Sequence, residues 1–545
     1  MKVQVLSYTY SLEGGPSIGP LYYFLRSFCD SVYPDNQIEW CEPIYDWKST
    51  EKGMQLIIDR DPDLILVPMF VWTEQKMIEI CSRLKLKNKK IKIVGGGPNI
   101  DSKNTKVNFE KYPFFDAVIY GDGEEAFYNL YERYKDTGEI TAGLNCATLK
   151  DTGFYQRFKY ESYEPYEIYT HKTVVNQLIK DVKHFKKSGK KVMLPFESDR
   201  GCPYKCSFCD WSSGLHHKLS IRDTKSVLKE IDFLITMKDY IRIQLINANF
   251  GLIKHDHELL RHMISKNFSF RITNWSKIKK DLVFSLMKEH IEHEHTNEHR
   301  DYSTRKFSIQ SIFKDTRDAI NRPDVPWSEH KKLIKDIIEN HDPKVAVEII
   351  SDLPLMTTKR HIQQLIEFSE LRVPKINYYP FILLPNSPAN NEDWMKKWGY
   401  KTRDVYAVYY TVHSLDNKEE VINKTYNENY LFNVSVREKV FNELLYEYYN
   451  SEKGNISNLH NYLDILYKLS LSITKQIETN YKKTGKYVWG VYVNNRWESV
   501  STAISSLKKN FSSHAMEATK IEFEGKQELI ELLSPNIASK RLSVE

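Results

Sequence analysis

Several features that would place a chain in a common class are scarce or absent from these 545 residues. No apolar run reaches the roughly 20 residues that a membrane-spanning helix needs. The opening residues, MKVQVLSYTY, have neither the basic start nor the long apolar core of a signal peptide. Internal repeats and low-complexity tracts are also missing. We therefore expect a cytoplasmic protein without a membrane span, divided into about two to four domains.

Charge of one sign is not concentrated anywhere in the chain. Lys and Arg total 78 and Asp and Glu total 72, which leaves a formal net charge of +6. The basic stretches Lys85–Lys92 and Lys183–Lys191 could touch phosphate, but interspersed charge of both signs is typical of solvated surface. The charge pattern therefore does not favour nucleic acid as a partner.

Cysteine is sparse, with seven residues, and its distribution is uneven. An odd number without disulfide spacing is typical of a reducing compartment. Four cysteines are scattered through apolar segments, where a thiol packs as a small buried hydrophobe: Cys29, Cys41, Cys81 and Cys146. The other three crowd into one short segment, at Cys202, Cys206 and Cys209. This segment is the one that carries chemistry.

Residues 1–150 alternate short β-branched runs with helical patterns, which is typical of an α/β domain with a Rossmann-like parallel sheet. The predicted strands are Val3–Ser7, Ile38–Cys41, Leu64–Pro68, Ile91–Val94 and Ala117–Tyr120, with helices such as Leu21–Cys29 and Glu74–Leu84. Two strands end in glycine turns, Gly95-Gly96-Gly97-Pro98 and Gly121-Asp122-Gly123-Glu124. Because ligands of open α/β sheets bind beyond the carboxyl ends of the strands, these turns are candidate binding loops.

The rest of the chain divides into three parts. Residues 151–190 are polar and lack a clear period, so we interpret them as a connecting segment. Residues 191–389 contain six further strand patterns with helical patterns between them, and they predict a (β/α)6-type partial TIM barrel. These strands are Val192–Ser198, Ile241–Ile246, Phe268–Thr273, Lys306–Ser311, Val345–Ile350 and Ile376–Leu383, with helices such as Thr224–Ile235 and Ser328–Asn340. Residues 390–545 predict a mainly helical C-terminal domain, as in Glu438–Tyr449 and Leu459–Ile477, with a short strand at Tyr487–Tyr492.

The cysteine segment follows the first predicted barrel strand and has the spacing CxxxCxxC. Three thiolates in one short loop can bind three irons of a [4Fe–4S] cluster and leave the fourth iron open. Structural zinc is the alternative, with His216 or His217 as a fourth ligand, although zinc sites more often use two separate ligand pairs. The position and spacing of the cysteines favour the cluster.

The longer string around the cysteines, ESDRGCPYKCSFCDW, resembles the radical S-adenosylmethionine (SAM) enzymes whose barrel follows a cobalamin-binding domain. Further strings similar to this family, sometimes called class B methylases, are Asn247-Ala248-Asn249-Phe250-Gly251, Ser308-Ile309-Gln310-Ser311, Ser351-Asp352-Leu353-Pro354 and Asn386-Ser387-Pro388. The family commonly has Gly-Leu-Pro where this chain has Asp352-Leu353-Pro354. The resemblance covers roughly residues 1–390, and Asp352 departs from it.

The resemblance implies a set of cofactors and site residues. SAM would chelate the open iron, and an electron from a donor such as flavodoxin or ferredoxin would cleave it to a 5′-deoxyadenosyl radical. Phe208 is expected to approach the adenine of SAM, and Gln310 and Glu348 are candidates for polar contacts to it. Each of these side chains could instead have a purely structural role. Glu197 and Arg200 could form an ion pair beside the cluster.

The glycine turns of residues 1–150 resemble the cobalamin-binding domain of the same family. The resemblance implies cobalamin contacts at Gly95, Gly96, Gly97, Gly121, Gly123 and Glu124, and a side chain beneath the corrin at Trp72. The first loop has no histidine, so no histidine is expected below cobalt. A nicotinamide-binding fold would need its glycines after the first strand, and a flavodoxin-like sheet that binds nothing remains an alternative.

Three functions remain open from the sequence. The first is cobalamin-dependent methylation of an unactivated carbon in a small-molecule substrate. The second keeps both cofactors but carries out a radical rearrangement, cyclisation or oxidation without methyl transfer. The third is a zinc-stabilised binding protein. The substrate and the role of residues 390–545 lie beyond what the sequence predicts, and no residue is predicted to be a catalytic acid or base.

Overall fold

The computed structural model places most of the chain in strands and helices. It describes residues 1–6, 11–12, 15–44, 50–71, 73–186, 189, 191–212, 218–276, 280–296, 305–341, 345–409, 424–485, 487–489, 491–493, 496–498 and 523–533. Within these residues no helix is both long enough and apolar enough to cross a membrane.

The first sheet has six strands, in the order Glu39–Trp40, Lys2–Val5, Leu64–Pro68, Lys92–Gly96, Ala117–Ile119 and Cys146–Ala147. All pairs are parallel except the last, which is antiparallel. Five helices connect or flank these strands, at Leu21–Val32, Thr50–Arg60, Glu74–Lys87, Thr105–Lys111 and Glu124–Thr137. The chain winds outward in both directions from Lys2–Val5, so the point where the strand order reverses lies between Lys2–Val5 and Leu64–Pro68. The predicted parallel sheet is confirmed.

The predicted connecting segment contains more structure than its sequence suggested. A 3₁₀ turn spans Tyr160–Ser162, and a helix spans Val175–Lys186. The helix buries three apolar side chains at helical spacing, namely Leu178, Val182 and Phe185. The sequence analysis found no clear period in residues 151–190, whereas the structure contains this helix. The polar residues between the buried positions obscured the period.

Six parallel strands alternate with helices in the following part of the chain and form two three-stranded sheets. The first contains Val192–Phe196, Ile241–Leu245 and Phe270–Ile272, and the second contains Arg305–Gln310, Val345–Ile350 and Lys375–Tyr379. The helices are Thr224–Ile235, Lys254–Ser265, Lys280–Thr296, Lys314–Ala319, Trp327–Asn340 and Thr358–Glu370. Alternate residues such as Ile241, Ile243 and Leu245 belong to the hydrophobic core, as expected for strands covered by helices.

The two parts of the chain are joined by backbone pairing as well as by side chains. The amide of Ile18 donates to the carbonyl of Met193 at 3.0 Å, next to the parallel bridge between Ser17 and Met193. One hydrophobic core includes both Val3 of the six-stranded sheet and Leu194 of the strand Val192–Phe196. The segment that follows Gly15–Pro16 in the first part therefore lies against the strand Val192–Phe196 of the second part.

The C-terminal part mixes helices with a second type of sheet. Its helices are Glu392–Lys397, Val436–Ser451, Leu459–Thr484 and Lys526–Leu533. The strand Lys401–Tyr409 pairs antiparallel with Lys424–Phe432 and parallel with Tyr487–Trp489, and Val491–Val493 pairs with Arg496–Glu498. The prediction of a mainly helical region missed the two nine-residue strands. Their polar stretches have low strand propensity, and the two strands are held by hydrogen bonds to each other.

Three short elements lie elsewhere in the chain. Ser11–Leu12 pairs with Gly15–Pro16, Asp199–Arg200 pairs with Ser220–Ile221, and a 3₁₀ turn spans Asp210–Ser212.

Candidate functional site

The cysteine loop leaves the carboxyl end of Val192–Phe196 and is held by contacts from two distant segments. The amide of Ser207 donates to the carbonyl of Ile320 at 2.8 Å, and the amide of Ala389 donates to the carbonyl of Ser207 at 2.9 Å. Ser207 is almost completely buried. Backbone hydrogen bonds therefore fix the middle of the loop between the Cys206 and Phe208 positions, whatever the loop binds.

The three predicted cluster cysteines differ from the other four in exposure. Cys202, Cys206 and Cys209 are partly exposed, whereas the four scattered cysteines are buried, as predicted. Burial is the main cause that raises the pKa of Cys206, and it raises the pKa of Cys209 to about 12; the charges of the neighbouring cysteines add to both effects.

The donor set suits a polynuclear cluster. In the described part of the chain, no three His, Cys, Asp or Glu side chains converge closely enough to hold one metal ion. A cubane cluster does not need such convergence, because each thiolate binds a different iron. His216 and His217, the possible fourth zinc ligands, lie outside the described residues. Three partly exposed thiols in one anchored loop therefore fit a [4Fe–4S] cluster.

Two side chains from other parts of the chain donate hydrogen bonds to the cysteine sulfurs. The amide Nδ2 of Asn249 lies 3.0 Å from Sγ of Cys202. The guanidinium of Arg322 hydrogen-bonds the Cys206 thiol, and its centre lies 5.8 Å from the centroid of the Phe208 ring. Nε of Arg322 also donates to the buried Asp324 at 3.1 Å. Donors of this kind stabilise thiolates and tune the clusters they bind.

A buried carboxyl pair lies beneath the loop. Asn247 donates its amide to Oγ of Ser198 at 2.7 Å and also to the carboxyl group of Asp199. Asp199 is hydrogen-bonded to Asp256, which accepts the amide of Gly251 at 2.8 Å. Burial, with the charge of Asp256 second, raises the pKa of Asp199 above its usual range. The pair fixes the loop's base to the turn after Ile241–Leu245.

Gln310 has three features that are unusual together. It ends the strand Arg305–Gln310 with a φ of +67°, in the left-handed region that few residues other than glycine adopt. The ladder with Val345–Ile350 shifts register between Ser308 and Gln310. Its Oε1 atom is buried and has no hydrogen-bond partner in the described structure. Backbone strain beside a bulge with an unsatisfied polar atom is typical of a ligand-binding position.

Glu348 and Phe208 line the same region with more ordinary contacts. The Glu348 carboxylate accepts a hydrogen bond from Oγ of Ser308 at 2.5 Å, and Nζ of Lys306 lies 3.8 Å from it. Oη of Tyr379 approaches the same carboxylate at 3.5 Å. Phe208 is half-buried and packs against the hydrophobic core that includes the strands Arg305–Gln310 and Val345–Ile350. Gln310 and Glu348 therefore lie on neighbouring strands, Phe208 lies in the cysteine loop, and Glu348 already has polar partners.

The predicted ion pair of Glu197 and Arg200 is present and extends to the first sheet. Nε of Arg200 donates to Glu197 at 3.0 Å, Nη1 donates to Asp122 at 3.0 Å, and Nη2 donates to Glu124 at 2.8 Å. Oη of Tyr160 accepts from Nη2 at 3.0 Å. All three carboxylates are buried. Glu124, predicted to contact cobalamin, therefore binds Arg200 and connects the turn after Ala117–Ile119 to the cysteine loop.

A second connection between the two parts was not predicted from the sequence. Asn386 donates its amide to the carbonyls of Pro98 and Ile100, at 3.1 and 2.9 Å. Its Oδ1 accepts from both the amide and the hydroxyl of Ser102, at 2.9 and 2.7 Å. The string containing Asn386 was noted, but nothing in the sequence linked it to the Gly95-Gly96-Gly97-Pro98 turn. Asn386 thus fixes this turn against the segment after Lys375–Tyr379.

The predicted cobalamin-contacting glycines fall into two groups. A Cβ at Gly95 would lie 2.4 Å from the Phe115 ring, and Gly97 has a φ of +101° and would press on the Met69 carbonyl at 2.9 Å. Internal packing thus requires these two glycines. At Gly96 and Gly123 the nearest atoms to a Cβ lie 3.7 Å away, so packing leaves room for a side chain there. Gly121 has a φ of +76°. Trp72 and most of the first loop lie outside the described residues.

Comparison with known proteins agrees with this arrangement, although no family model matches the chain. It is 25% identical over 360 residues to the 2-(S-pantetheinyl)-carbapenam-3-carboxylate methyltransferase of Streptantibioticus cattleyicolor. It is also 25% identical over 361 residues to the cobalamin-dependent radical SAM methyltransferase TokK of Streptomyces tokunonensis. Each alignment covers 63% of this chain and 50% of the relative. The chain therefore spans about half the length of the curated relatives it matches.

Solved structures share the fold over nearly the whole chain. The radical SAM methyltransferase TsrM from Kitasatospora setae, solved with tryptophan and a SAM analogue, matches with a TM-score of 0.53 and 13% identity, covering 97% of this chain and 99% of TsrM. The cobalamin-dependent SAM radical enzyme OxsB, solved with aqua-cobalamin and SAM, matches with a TM-score of 0.55 and 12% identity, covering 98% and 78%. Together with the sequence relatives, these matches confirm the resemblance inferred from the string around the cysteines. They also confirm the predicted α/β fold with parallel sheets.

Proposed function

We propose that this chain, which resembles the cobalamin-dependent radical SAM enzymes, is a methyltransferase that acts on an unactivated carbon of a small molecule. The observation that carries the proposal is the anchored loop of three partly exposed cysteines, two of which receive hydrogen bonds from Asn249 and Arg322. The names of both curated relatives, which describe methyltransferases, support it.

The proposal assigns a task to each part of the chain. Residues 1–150 would hold cobalamin, residues 151–190 would connect them to the rest, residues 191–389 would form a partial barrel that holds the cluster and SAM, and residues 390–545 would complete the C-terminal domain. When bound, the cluster supplies the electron that cleaves SAM to a radical, and cobalamin supplies a methyl carrier. Arg200 and Asn386 connect the two parts, and the strand ends of both parts would then face a shared cofactor space.

The residues of the chain would orient SAM and exclude water rather than take part covalently. Cys202, Cys206 and Cys209 would bind three irons and leave one iron open to SAM. Gln310 would satisfy its buried oxygen with a donor of SAM. An electron donor such as flavodoxin or ferredoxin would have to reach the cluster from the protein surface. Gly96, Gly121, Gly123 and Trp72 remain our candidates for contacts with cobalamin.

Product analysis after anaerobic reconstitution tests this function. We expect the chain reconstituted with iron, sulfide and hydroxocobalamin to contain all three, and to form S-adenosylhomocysteine and 5′-deoxyadenosine from SAM under reducing conditions. Formation of 5′-deoxyadenosine alone, even with bound cobalamin, would instead support a rearrangement, cyclisation or oxidation. Bound zinc without iron or sulfide would refute the proposal and support a zinc-stabilised binding protein.

Replacing Gln310 with glycine is expected to separate stability from SAM binding. Glycine adopts a φ of +67° without the steric cost borne by glutamine, so the free energy of unfolding should rise by about 1 kcal/mol. Loss of the side-chain amide should weaken SAM binding by about tenfold. Urea unfolding and equilibrium SAM binding measure the two effects. Arg372→Gly is the matched control, because Arg372 is exposed and has a φ of +57°; it should gain stability without a change in SAM affinity.

A further inference from the structure

The helix Val436–Ser451 carries a lysine in an unusual place. The side chain of Lys439 is completely buried and pairs with the carboxylate of Asp352. Oε1 of Glu443, one turn further along the helix, lies 4.0 Å from the same ammonium group. A buried lysine is costly unless it is paired, so this contact has a substantial effect on how the helix docks.

The partner of Lys439 belongs to the loop that follows the strand Val345–Ile350. Asp352 also accepts a hydrogen bond from Oγ of Ser351 at 2.8 Å, and its backbone carbonyl accepts one from the Tyr400 hydroxyl. The same strand carries Glu348, one of the candidate SAM contacts. Lys439 therefore contacts the loop that directly follows the strand carrying Glu348.

The same helix also reaches the turn after Gln310. The hydroxyl of Tyr446 accepts a hydrogen bond from Nε2 of Gln364 at 3.3 Å. Oε1 of Gln364 in turn accepts the amide of Ile312 at 3.0 Å. All of these groups are buried. One helix of the C-terminal part is therefore connected by polar contacts to both strand ends that carry the candidate SAM contacts.

Asp352 is the position where the sequence departs from the Gly-Leu-Pro string of the family. A glycine there would remove the carboxylate that lies nearest to the Lys439 ammonium, whereas the Glu443 carboxylate is 4.0 Å away. A buried aspartate without Lys439 would be equally unfavourable. Asp352, which departs from the family string, and Lys439 of the C-terminal helix therefore form one buried ion pair.

We propose that Lys439 is a positioning residue for SAM, because it fixes the loop Ser351-Asp352 through a buried ion pair from the C-terminal helix. This inference rests on the proposed function, since it assigns SAM to the ends of these strands. It gives residues 390–545 a definite task, which the sequence alone did not reveal. Lys439 itself, being fully buried, does not touch SAM.

A double-mutant cycle tests the proposal on the reconstituted full-length chain. Lys439→Met should raise the dissociation constant and the KM for SAM by about tenfold, while the rate of 5′-deoxyadenosine formation at saturating SAM changes by less than about twofold. Asp352→Gly should do the same. Both single variants should also unfold at lower temperature. The double variant, which has neither buried charge, should recover most of the melting temperature but not the SAM affinity.

Matched controls keep the outcomes distinct. Lys526→Met removes another lysine of the C-terminal part, whose Nζ lies 2.8 Å from Asp464, and it should lower stability without changing SAM affinity. If the double variant binds SAM as tightly as the unmodified chain, the ion pair is only structural and the inference is wrong. If the unmodified chain assembles no cluster and binds no SAM, the proposed function has failed instead.

Discussion

A Cys206→Ala variant is expected to lose SAM cleavage by more than about 100-fold, because replacement of groups that merely support metal ligands already costs about 10- to 100-fold. Cys206 is the central cysteine of the loop and the one that Arg322 contacts. The backbone contacts of Ser207 with Ile320 and Ala389 do not use the Cys206 side chain, so the loop should keep its position. The loss should therefore come from the cluster rather than from unfolding.

Iron, sulfide and 5′-deoxyadenosine are the quantities to measure for this variant. Cys81→Ala is the matched control, since Cys81 is buried in the core around the first sheet, away from the cysteine loop. It should lower the free energy of unfolding by about 1 kcal/mol through lost packing, with full iron and sulfide content. A Cys206→Ala protein that retains a complete cluster and cleaves SAM at the normal rate would refute the cluster assignment.

The parallel strands could be predicted because their burial leaves a direct trace in the sequence. Leu64–Pro68 and Val345–Ile350 have the predicted bounds, since the first is a continuous apolar run and the second is interrupted only by Glu348. The strand Lys401–Tyr409 could not be predicted in this way. It begins with polar residues, and its stability comes from a ladder with Lys424–Phe432, which lies further along the chain. A strand that depends on pairing with another segment need not show a strand pattern in its own sequence.

The residues of the candidate site also differ in whether local sequence or only the tertiary fold reveals them. The three candidate cluster ligands could be proposed from the sequence because they lie in one short loop with characteristic spacing. Arg322, Asn386 and Lys439 could not, since each reaches its partner only through the tertiary fold. Asp352 is instructive, because the sequence revealed the departure from the family string but not its cause. In the structure Asp352 pairs with a lysine from another part of the chain, whose spatial proximity no spacing rule predicts.

Replacing Arg200 with methionine is expected to lower the free energy of unfolding by about 3–5 kcal/mol, the usual cost of removing one partner from a buried ion pair. Asp122, Glu124 and Glu197 all bind this guanidinium and are all buried, so the variant would leave three neighbouring carboxylates without the cation that they share. The loss should appear in urea or thermal unfolding. Arg261→Met, at an exposed pair with Glu289, should have a much smaller effect.

The Arg200 variant should also change the balance of products at temperatures where it remains folded. Arg200 connects the turn that carries Glu124 to the cysteine loop, so its loss should loosen the first sheet relative to the cluster. Under the proposed function, SAM cleavage would need only the part that holds the cluster, whereas methyl transfer would need both parts in a fixed arrangement. The yield of methylated product per 5′-deoxyadenosine should therefore fall. Adding Glu124→Gln, which removes one of the three negative charges, should restore part of the stability but not the product ratio. An unchanged ratio in the single variant would mean that the other contacts, including those of Asn386, align the two parts without Arg200.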